Sequence, residues 1–440
     1  MFGYFTLSNR DDFTWKSVTL FGILKNIVFV CLPVFFCSYS ITLYMVSCVV
    51  CAVPLFALIM MVKSFVYHTD FTNKSHHLSI YKYLTFHDIA LKKKYRHTKI
   101  PFETLLELYF KKKVEFNCDL LEAFEHRHEY STMRFTLNHV KTFLQNIVPE
   151  CWHSRQQDET QVRDHYERGN DFYSRFLGPS MVYTSGIVKH EDETLEEVQN
   201  NKLQVLANKI QLTQDDDLLD IGCGWGTWAI YAAEHCDAKS VGVTLSRPQH
   251  AHAQEIISKK NLNTRILIMD YRDIPTKQYD KITCIEMAEH VGIRKFSGFL
   301  DQVSTLLKDD GIFLLQIAGL RRAWQWEDFV WGLFMGKYVF PGADASCPLG
   351  WVVNKLEASG FEIADIETIG IHYSFTIQKW YENWLNAEEY ITNNYSGRLY
   401  RIWKAFLAWS VIIARQGNST CYQIVCHKNS NKYPRRKFVV

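Results

Sequence analysis

The stretch Asp217-Leu-Leu-Asp-Ile-Gly-Cys-Gly-Trp-Gly226 decides the fold of this 440-residue chain. Its first half has the apolar character of a buried strand, and its three glycines predict a tight turn in which a ligand lies directly on main-chain amide groups. Residues 225–234 predict the helix that follows the turn. A strand, a glycine-rich turn and a helix in this order are typical of a ligand-binding α/β sheet.

Two features distinguish the ligand of this turn from a nucleotide phosphate. Gly-x-Gly-x-Gly lacks the Gly-Lys-Ser/Thr ending of a phosphate-binding loop and does not match the dinucleotide pattern Gly-x-Gly-x-x-Gly. The next predicted strand, 240–243, leads to neutral hydroxyl and amide groups where a dinucleotide-binding fold places an acidic residue. Because Asp220 is placed for an ammonium group, the pattern predicts S-adenosylmethionine, which has a zwitterionic end and no phosphate. The alternative is an ordinary strand, turn and helix whose glycines serve packing alone.

A second turn supports the same cofactor. Asp270-Tyr271-Arg272-Asp273 follows the predicted strand 264–269, and turns after the strands of a parallel sheet gather at its ligand-binding edge. Asp270 is therefore predicted to bind the adenine amino group, with Tyr271 beside the ring. Taken by itself, a charged turn of this kind is more often only solvated.

Apolar runs alternate with helical patterns through the rest of this region, which predicts a doubly wound, Rossmann-like α/β sheet. The predicted strands are 218–222, 240–244, 264–269, 279–285, 311–317, 361–370 and 420–427. The clearest helices are 247–260 and 296–307, and a long helical stretch, 377–415, precedes the last strand. About seven strands would then form one domain that begins near Gln161.

Over residues 161–428 the chain resembles the cyclopropane fatty-acid synthases and related lipid methyltransferases. The motifs that carry the resemblance are, in order, His165–Tyr173, Met181–Tyr183, the glycine turn, Gly242–Ser246 with Gln249, Glu289–Gly292 and Lys337–Gly342. Within that family, four further segments resemble the fungal-type sphingolipid C-9 methyltransferases: Tyr183–Gly186, Trp331–Met335, Ala343–Ser346 and Ala414–Gly417.

The resemblance implies a seven-stranded class I methyltransferase sheet that binds S-adenosylmethionine. Together with the two turns, it gives the predicted cofactor site. Its residues are Tyr183, Thr184, Leu218, Leu219, Asp220, Ile221, Gly222, Cys223, Gly224, Trp225, Gly226, Thr244, Leu245, Ser246, Arg247, Pro248, Gln249, Asp270, Tyr271 and Arg272.

The predicted catalytic residues depend on where the chain departs from the family. In the cyclopropane-forming members, a bicarbonate ion held partly by Cys and His, together with Glu and Tyr, serves as base. This chain has Ser185, Gln316 and Ser410 where those members have Cys, His and a second Cys, and retains Glu289 and Tyr373. The resemblance therefore leaves a bound bicarbonate open.

Five residues are the catalytic candidates: Glu289, Tyr373, His290, His165 and Ser410. Glu289 is the leading candidate for the base or its holder, followed by Tyr373 and His290. Glu289 could equally cap the helix at Phe296 or bind the methionine end of the cofactor. For the two histidines, a hydrogen-bonded structural role is the alternative.

Methyl transfer to an isolated alkene sets specific demands on such a site. The alkene must be held in line with the sulfonium methyl, water must be excluded, and aromatic faces can stabilise the resulting cation at about 1–2 kcal/mol each when desolvated. A base then removes a proton. Loss from the new methyl group closes a cyclopropane, whereas loss from the methylated carbon restores the alkene with a methyl branch. The missing Cys and His favour the branched alkene.

The amino-terminal region predicts a membrane anchor. No charged residue occurs in 26–62, a run that as one helix would span about 55 Å against a hydrocarbon layer of about 30 Å. A transmembrane hairpin at 22–63, with helices at about 22–40 and 42–62, is therefore predicted, with one span plus an interfacial segment as the alternative. Lysines on both flanks favour two cytosolic ends. We therefore expect an integral membrane protein, of the endoplasmic reticulum, whose catalytic domain faces the cytosol.

Two further segments suggest contact with lipid. Residues 80–113 mix aromatic and basic side chains, as in a segment on an anionic membrane surface; a solvated basic helix pair is the alternative. Residues 324–340 hold seven aromatic residues, which predicts a helical, lipid-facing insertion. A helix buried in the core is the alternative there. A formal net charge of +2 weighs against nucleic acid as a partner.

The predicted organisation is a cytosolic segment at 1–21, the hairpin at 22–63, a membrane-surface helical region at 64–160, the catalytic domain at 161–428 and a basic tail at 429–440. The twelve cysteines show no zinc spacing. The predicted activity is methylation of C-9 in the 4,8-diene sphingoid base of a ceramide or glucosylceramide. The alternatives are a methyltransferase or cyclopropane synthase acting on phospholipid acyl chains, and a catalytically silent lipid-binding scaffold.

Overall fold

The computed structural model describes residues 80–147, 155–323 and 325–438. The hairpin predicted at 22–63 and the segment 1–21 lie outside these ranges. Within them, no helix is both long and apolar enough to cross a membrane.

A seven-stranded sheet forms the centre of the catalytic region. Its strands are β5 (Asp217–Ile221), β6 (Lys239–Thr244), β7 (Thr264–Ile268), β8 (Tyr279–Ile285), β9 (Leu307–Leu320), β10 (Phe361–Thr368) and β11 (Ser419–Lys428). They lie in the order β10-β11-β9-β8-β5-β6-β7. The five strands from β9 to β7 in this order are parallel, and β11 is antiparallel to both β9 and β10. All seven predicted strands are confirmed, and so is the class I methyltransferase sheet.

The strands are buried because helices cover both faces of the sheet. Their sequences are therefore continuous apolar runs. The covering helices are α8 (Leu195–Lys209), α9 (Thr227–His235), α10 (Arg247–Lys260), α11 (Phe296–Leu306) and α13 (Leu349–Ala358). Local sequence fixes several of their ends. Thr194 and Glu197 form a capping box on α8, and the Ser246 hydroxyl caps α10.

A layer of helices lies beyond the carboxyl ends of the parallel strands. It contains α6 (Arg155–Tyr166), α7 (Asn170–Leu177), α12 (Trp326–Tyr338), α14 (Gly370–Asn386), α15 (Glu388–Asn394) and α16 (Gly397–Arg415). The predicted helical stretch 377–415 therefore consists of parts of three helices. Trp380, Trp384, Trp403 and Trp409 are fully buried in this layer.

The helix α12 settles the prediction for residues 324–340. Its Val330, Trp331, Leu333 and Phe334 are buried, and the Trp331 ring meets the Trp409 ring edge-on at 4.9 Å. These side chains are part of the protein core, so the prediction of a lipid-facing insertion is wrong for the buried face of this helix, where the core-helix alternative holds.

The segment 80–147 adds a small layer to the same core. Its elements are β1 (Leu84–Phe86), α1 (Ile89–Lys94), β2 (Ile100–Pro101), α2 (Phe102–Phe110), β3 (Val114–Phe116), α3 (Leu120–Glu125), α4 (Arg127–Tyr130), β4 (Ser131–Thr132) and α5 (Leu137–Thr142). Phe102 and Phe124 are completely buried, and Phe102 packs on Trp409 at 4.7 Å. Lys92–Lys94 and Lys111–Lys113 are exposed. Phe102 and Phe124 of this segment thus belong to the core, and these six lysines face solvent.

A buried ion pair fixes this segment to the helical layer. The Arg127 guanidinium donates to both carboxylate oxygens of Glu327, at 2.6 and 3.0 Å, and the Trp409 indole donates to the same carboxylate at 3.2 Å. Burial acts to raise the pKa of Glu327, but hydrogen bonds from His128 and Arg127 outweigh it and hold the pKa at about 2. The carboxylate is therefore ionised, as its two-point contact with arginine requires.

Candidate active site

The site lies where two loops meet at the carboxyl edge of the sheet. β6 and β7 lie on one side of β5 and β8 lies on the other, so a crevice opens between the loops after β5 and β8. The loops touch, because a Cβ added to Gly222 would lie 2.4 Å from the Met287 side chain. Residues 222–226 and 286–290 therefore border one cleft.

The glycine turn has the geometry of a ligand cradle. Gly222, Gly224 and Gly226 have φ values of 80°, 55° and 77°, in the left-handed region that side chains disfavour. A Cβ added to Gly224 would meet nothing within 4 Å. The turn therefore exposes main-chain groups to open space, as a cofactor resting on backbone requires.

The amino-terminal end of helix α7 contacts the glycine turn. The Trp225 indole donates to the Asn170 side chain at 2.8 Å, and the Asn170 amide donates to the Pro248 carbonyl at 3.0 Å. The Thr227 hydroxyl donates to the Ser180 carbonyl at 2.8 Å. The His165–Tyr173 motif thus positions the two cofactor loops, 222–226 and 244–249, relative to each other.

Neutral polar groups lie after β6, as predicted. The Thr244 hydroxyl donates to the Gln249 side-chain oxygen at 2.7 Å, and the Ser246 amide donates to Thr244 at 3.2 Å. Gln249 and Ser246 are buried. This arrangement suits ribose hydroxyls rather than a phosphate.

Asp270, which is predicted to bind the adenine amino group, already accepts hydrogen bonds within the protein. The Asp270 carboxylate accepts from the Arg272 amide at 2.9 Å and from its guanidinium at 2.6 and 2.7 Å. Burial would raise the Asp270 pKa, but Arg272 and Arg155 lower it. Asp270 is thus a fixed carboxylate at the edge of the cleft, and its contact with adenine stays a prediction.

Asp220 and Lys202 are two buried ionisable residues beneath the cleft. Asp220 is 2% exposed and accepts from the Thr283 hydroxyl at 2.8 Å; burial raises its pKa to about 7 despite Thr283 and Lys202. Lys202 is equally buried and donates to the Thr184 hydroxyl. Burial lowers the Lys202 pKa against the attraction of Glu286. A cationic ligand nearby would therefore lower the Asp220 pKa and stabilise its charged form.

The Glu286 carboxylate, which follows β8, accepts hydrogen bonds on both of its oxygens. One oxygen accepts from the Gln316 amide at 2.6 Å, the Ser185 main-chain amide at 3.3 Å and the Cys421 thiol at 3.5 Å. The other accepts from the Tyr373 hydroxyl at 2.7 Å. The Gln316 oxygen in turn accepts from Gln423 at 3.0 Å. Three residues that the sequence singled out, Ser185, Gln316 and Tyr373, thus converge on a fourth that it did not.

Glu289 lies in a different environment. It is 6% exposed, and one of its oxygens accepts from the Ala318 amide at 2.6 Å. Its second oxygen has no hydrogen-bond partner among the described residues. Burial, followed by the charge of Glu286, raises its pKa to about 8. Glu289 is therefore a neutral acid at pH 7 and does not cap α11, whose N-cap is Lys295 without a side-chain bond.

The other catalytic candidates have structural contacts. The Ser410 hydroxyl donates to the Phe406 carbonyl within α16 at 2.7 Å, and no hydrogen bond in the described ranges joins it to Glu286. His165 is 5% exposed among aromatic rings, and burial lowers its pKa well below the usual value. His290 is half-buried at the end of the loop after β8. Both ring nitrogens of His165 are buried without a hydrogen-bond partner in the described part of the chain, so its hydrogen-bonded structural alternative is not shown. The catalytic roles of Ser410, His165 and His290 stay predictions.

Aromatic rings line the side of the cleft that faces the helical layer. Tyr183 lies between Trp380 and Phe340, with ring centroids at 5.5 and 6.1 Å, and Tyr373 meets Trp380 edge-on at 6.0 Å. The Tyr183 hydroxyl is buried and has no partner in the described part of the chain. These rings form an apolar wall with one polar group available to a ligand.

S-adenosylmethionine fits these residues. The open glycine turn would carry its backbone contacts, the neutral groups after β6 its ribose and Asp220 its ammonium group. Within the described ranges, no group of His, Cys, Asp and Glu residues could hold a metal ion.

Sequence reasoning missed Glu286, Cys421 and Lys202. Glu286 had a usable signal, because a lone acidic residue at the end of an apolar parallel strand lies at the ligand-binding edge. Cys421 and Lys202 reach the cleft from β11 and α8, and no local pattern reports such convergence.

Comparisons with known proteins agree with this geometry. Residues 153–424 match the family described as Mycolic acid cyclopropane synthetase. A sphingolipid C9-methyltransferase of Komagataella phaffii is 52% identical over 372 residues, which cover 81% of this chain and 76% of the relative. Sphingolipid C9-methyltransferase 2 of Gibberella zeae is 54% identical over 358 residues, which cover 79% of this chain and 69% of the relative.

A solved structure shares the fold of the catalytic region. A mycolic acid cyclopropane synthase complexed with SAH and CTAB is 26% identical, with a TM-score of 0.59, and the match covers 61% of this chain and 98% of that one. The match to the family, the extent of the sequence identity and the cofactor cleft agree. The chain therefore belongs to the mycolic acid cyclopropane synthetase family of S-adenosylmethionine-dependent methyltransferases and, within it, to the sphingolipid C9-methyltransferases.

Proposed function

We propose that this chain transfers a methyl group from S-adenosylmethionine to C-9 of the 4,8-diene sphingoid base of a ceramide or glucosylceramide. The observation that carries the proposal is the aromatic wall of Tyr183, Trp380 and Phe340. The Tyr173 ring links this wall to the glycine turn, because it packs on Tyr183 at 5.5 Å and on Trp225 at 5.1 Å. An apolar, aromatic slot next to a methyl donor suits an unactivated alkene. The similarity to proteins named sphingolipid C9-methyltransferase supports the substrate class.

The residues of the cleft match the demands of the chemistry. The cofactor, when bound, supplies an electrophilic methyl group to C-9. The new carbon–carbon bond would take the alkene electron pair while the methyl–sulfur bond breaks and its electron pair stays with the sulfur of the leaving S-adenosylhomocysteine. Positive charge would then develop at C-8. The partly exposed rings of Tyr183 and Phe340 can stabilise that charge without attacking it. A base then takes the proton from C-9, so that the C-8 to C-9 double bond returns with a methyl branch.

We further propose that the chain is anchored in the membrane of the endoplasmic reticulum by the hairpin at 22–63, with the catalytic domain in the cytosol. The charge-free run 26–62 supports the anchor, and the exposed lysines at 92–94 and 111–113 support contact with an anionic surface. Such an arrangement would give the cleft access to a lipid substrate.

The test is transfer of labelled methyl from S-adenosylmethionine to purified glucosylceramide or ceramide that contains the 4,8-diene. We expect labelled product with a vinylic methyl signal in proton NMR and no cyclopropane ring signal. Ring protons, or label found only in phospholipid, would contradict the proposal. Cofactor binding without transfer to any lipid would favour a scaffold.

A further inference from the structure

Glu286 adopts a backbone conformation that its residue type disfavours. Its φ is 52°, in the left-handed region that few residues other than glycine adopt. Such conformations persist where the surrounding structure holds them and are frequent at functional sites. Here the conformation places the carboxylate among hydrogen-bond donors.

Four donors fix both oxygens of this carboxylate. They come from four separate parts of the fold: Ser185 after α7, Gln316 on β9, Tyr373 on α14 and Cys421 on β11. Gln316, Cys421 and Ser185 are completely buried, whereas Glu286 itself is only half-buried. Buried donors thus fix the carboxylate on its protein side, and the carboxylate remains accessible from the cleft.

The position of Glu286 relative to both ligand sites is suited to chemistry. The next residue, Met287, packs against Gly222 of the cofactor turn. Tyr373, which binds the carboxylate, meets Trp380 of the aromatic wall. Glu286 therefore lies between the glycine turn and the aromatic wall.

Bicarbonate, which the family resemblance implies as base, does not fit this site. Ser185, Gln316 and Tyr373 stand at positions associated with holding that ion, and all three contact the Glu286 carboxylate instead. A bound anion would also lie beside Glu286 without the Cys and His of the cyclopropane-forming members. A carboxylate has the same planar pair of oxygens and the same charge as bicarbonate.

Glu289 does not fit the role either. It is more deeply buried than Glu286 and holds its proton at neutral pH, since burial raises its pKa to about 8. A protonated carboxyl group cannot accept the proton that the reaction releases.

We propose that the Glu286 carboxylate is the catalytic base, a built-in replacement for bicarbonate. This inference rests on the proposed function. In the step concerned, the C-9 carbon–hydrogen bond breaks, its electron pair forms the C-8 to C-9 double bond, and the proton passes to a Glu286 oxygen. The cationic lipid and the carboxylate become a neutral alkene and a neutral acid, and solvent later takes the proton.

The first test is Glu286→Gln, with Glu357→Gln on the exposed end of α13 as the matched control. A lost general base costs about 100-fold or more, so we expect methyl transfer to fall by about 100-fold while S-adenosylmethionine affinity changes less than threefold. The control should keep wild-type values for both. A Glu286→Gln variant that retains more than about a tenth of the wild-type rate would overturn the proposal.

The second test separates catalysis from folding. Glu286→Gly accepts the positive φ without strain and removes the carboxylate, so added formate or bicarbonate should restore transfer in this variant. The wild type should be equally active in bicarbonate-free buffer and in buffer with added bicarbonate. No rescue of Glu286→Gly by either anion, or a wild type that depends on bicarbonate, would contradict the assignment.

Different results would contradict the proposed function and the assignment of Glu286 as base. If the wild type transfers no methyl group to a sphingolipid, the proposed function fails and the base assignment falls with it. If the wild type is active and Glu286→Gln is comparably active, only the base assignment fails.

Discussion

Gly222 shows how single residues set the geometry of the site. Its φ of 80° and the Met287 side chain 2.4 Å from the position of a Cβ leave room for hydrogen alone. The sequence identified this glycine from its spacing. The sequence did not identify Glu286, because the hydrogen bonds that fix the Glu286 carboxylate come from donors on four distant segments of the chain.

Gly222→Ala should impair cofactor binding. The added methyl group would push apart the loops after β5 and β8, so we expect S-adenosylmethionine affinity, measured by calorimetry, to fall by at least about tenfold, or about 1.4 kcal/mol. Gly350→Ala is the matched control, because a Cβ there meets nothing within 4 Å. Equal affinities for the two variants would contradict the described contact.

Glu289→Gln should change how stability depends on pH. The Glu289 pKa is about 8 in the folded protein against a usual value near 4.5, so the folded state retains a proton that the unfolded chain loses, and stability falls as pH rises between these values. Glutamine has no such proton. We therefore expect the variant to melt close to the wild type at pH 5 and above it at pH 9.

Melting temperatures at pH 5, 7 and 9 check this expectation, with Glu357→Gln as an exposed control. A difference between Glu289→Gln and the wild type that stays constant over this range would show that Glu289 is not a buried neutral acid.

At the scale of elements, the sheet followed from local patterns but the helical layer did not. The strands β5 to β11 and the helices α10 and α11 match the predicted bounds closely, because period and glycine placement are local signals. The stretch 80–113 was interpreted as a membrane-surface segment. Contact of its exposed lysines with a membrane stays a prediction, but Phe102 of this stretch is buried against Trp409 of α16, since an apolar face does not specify what covers it.

Substitutions in the Arg127–Glu327 pair test how the segment 80–147 is fixed to the helical layer. Arg127→Leu would leave the Glu327 carboxylate buried without its cation, which costs about 3–5 kcal/mol. Replacing both residues, as Arg127→Leu with Glu327→Leu, should recover a large part of this loss. Denaturant unfolding of the single and double variants checks the expectation. A double variant that is no more stable than Arg127→Leu would contradict it.

At the scale of the whole molecule, the proposed topology can be tested with the chain's own sequence. Asn394-Tyr395-Ser396 is a glycosylation sequon, and Asn394 is exposed at the end of α15. The sequon at Asn418 is a poor reporter, because Asn418 is 2% exposed and its amide donates to Asp328.

Asn394 should carry no glycan in a eukaryotic cell if the catalytic domain faces the cytosol. The expected result is no shift in mobility after endoglycosidase treatment. The same chain preceded by a cleavable secretory signal serves as the positive control and should be glycosylated. A glycan on Asn394 of the unmodified chain would contradict the cytosolic placement.

The sequence by itself determined the sheet, the cofactor turn and the family, because glycine spacing, strand period and motif order are recorded in consecutive residues. Only the tertiary structure decided which carboxylate occupies the centre of the cleft. Glu286 and Glu289 are three residues apart and chemically identical, but their surroundings differ. Glu286 has four donors and access to the cleft, whereas Glu289 is buried and retains its proton. Those surroundings come from segments up to 135 residues distant, which no local pattern can report.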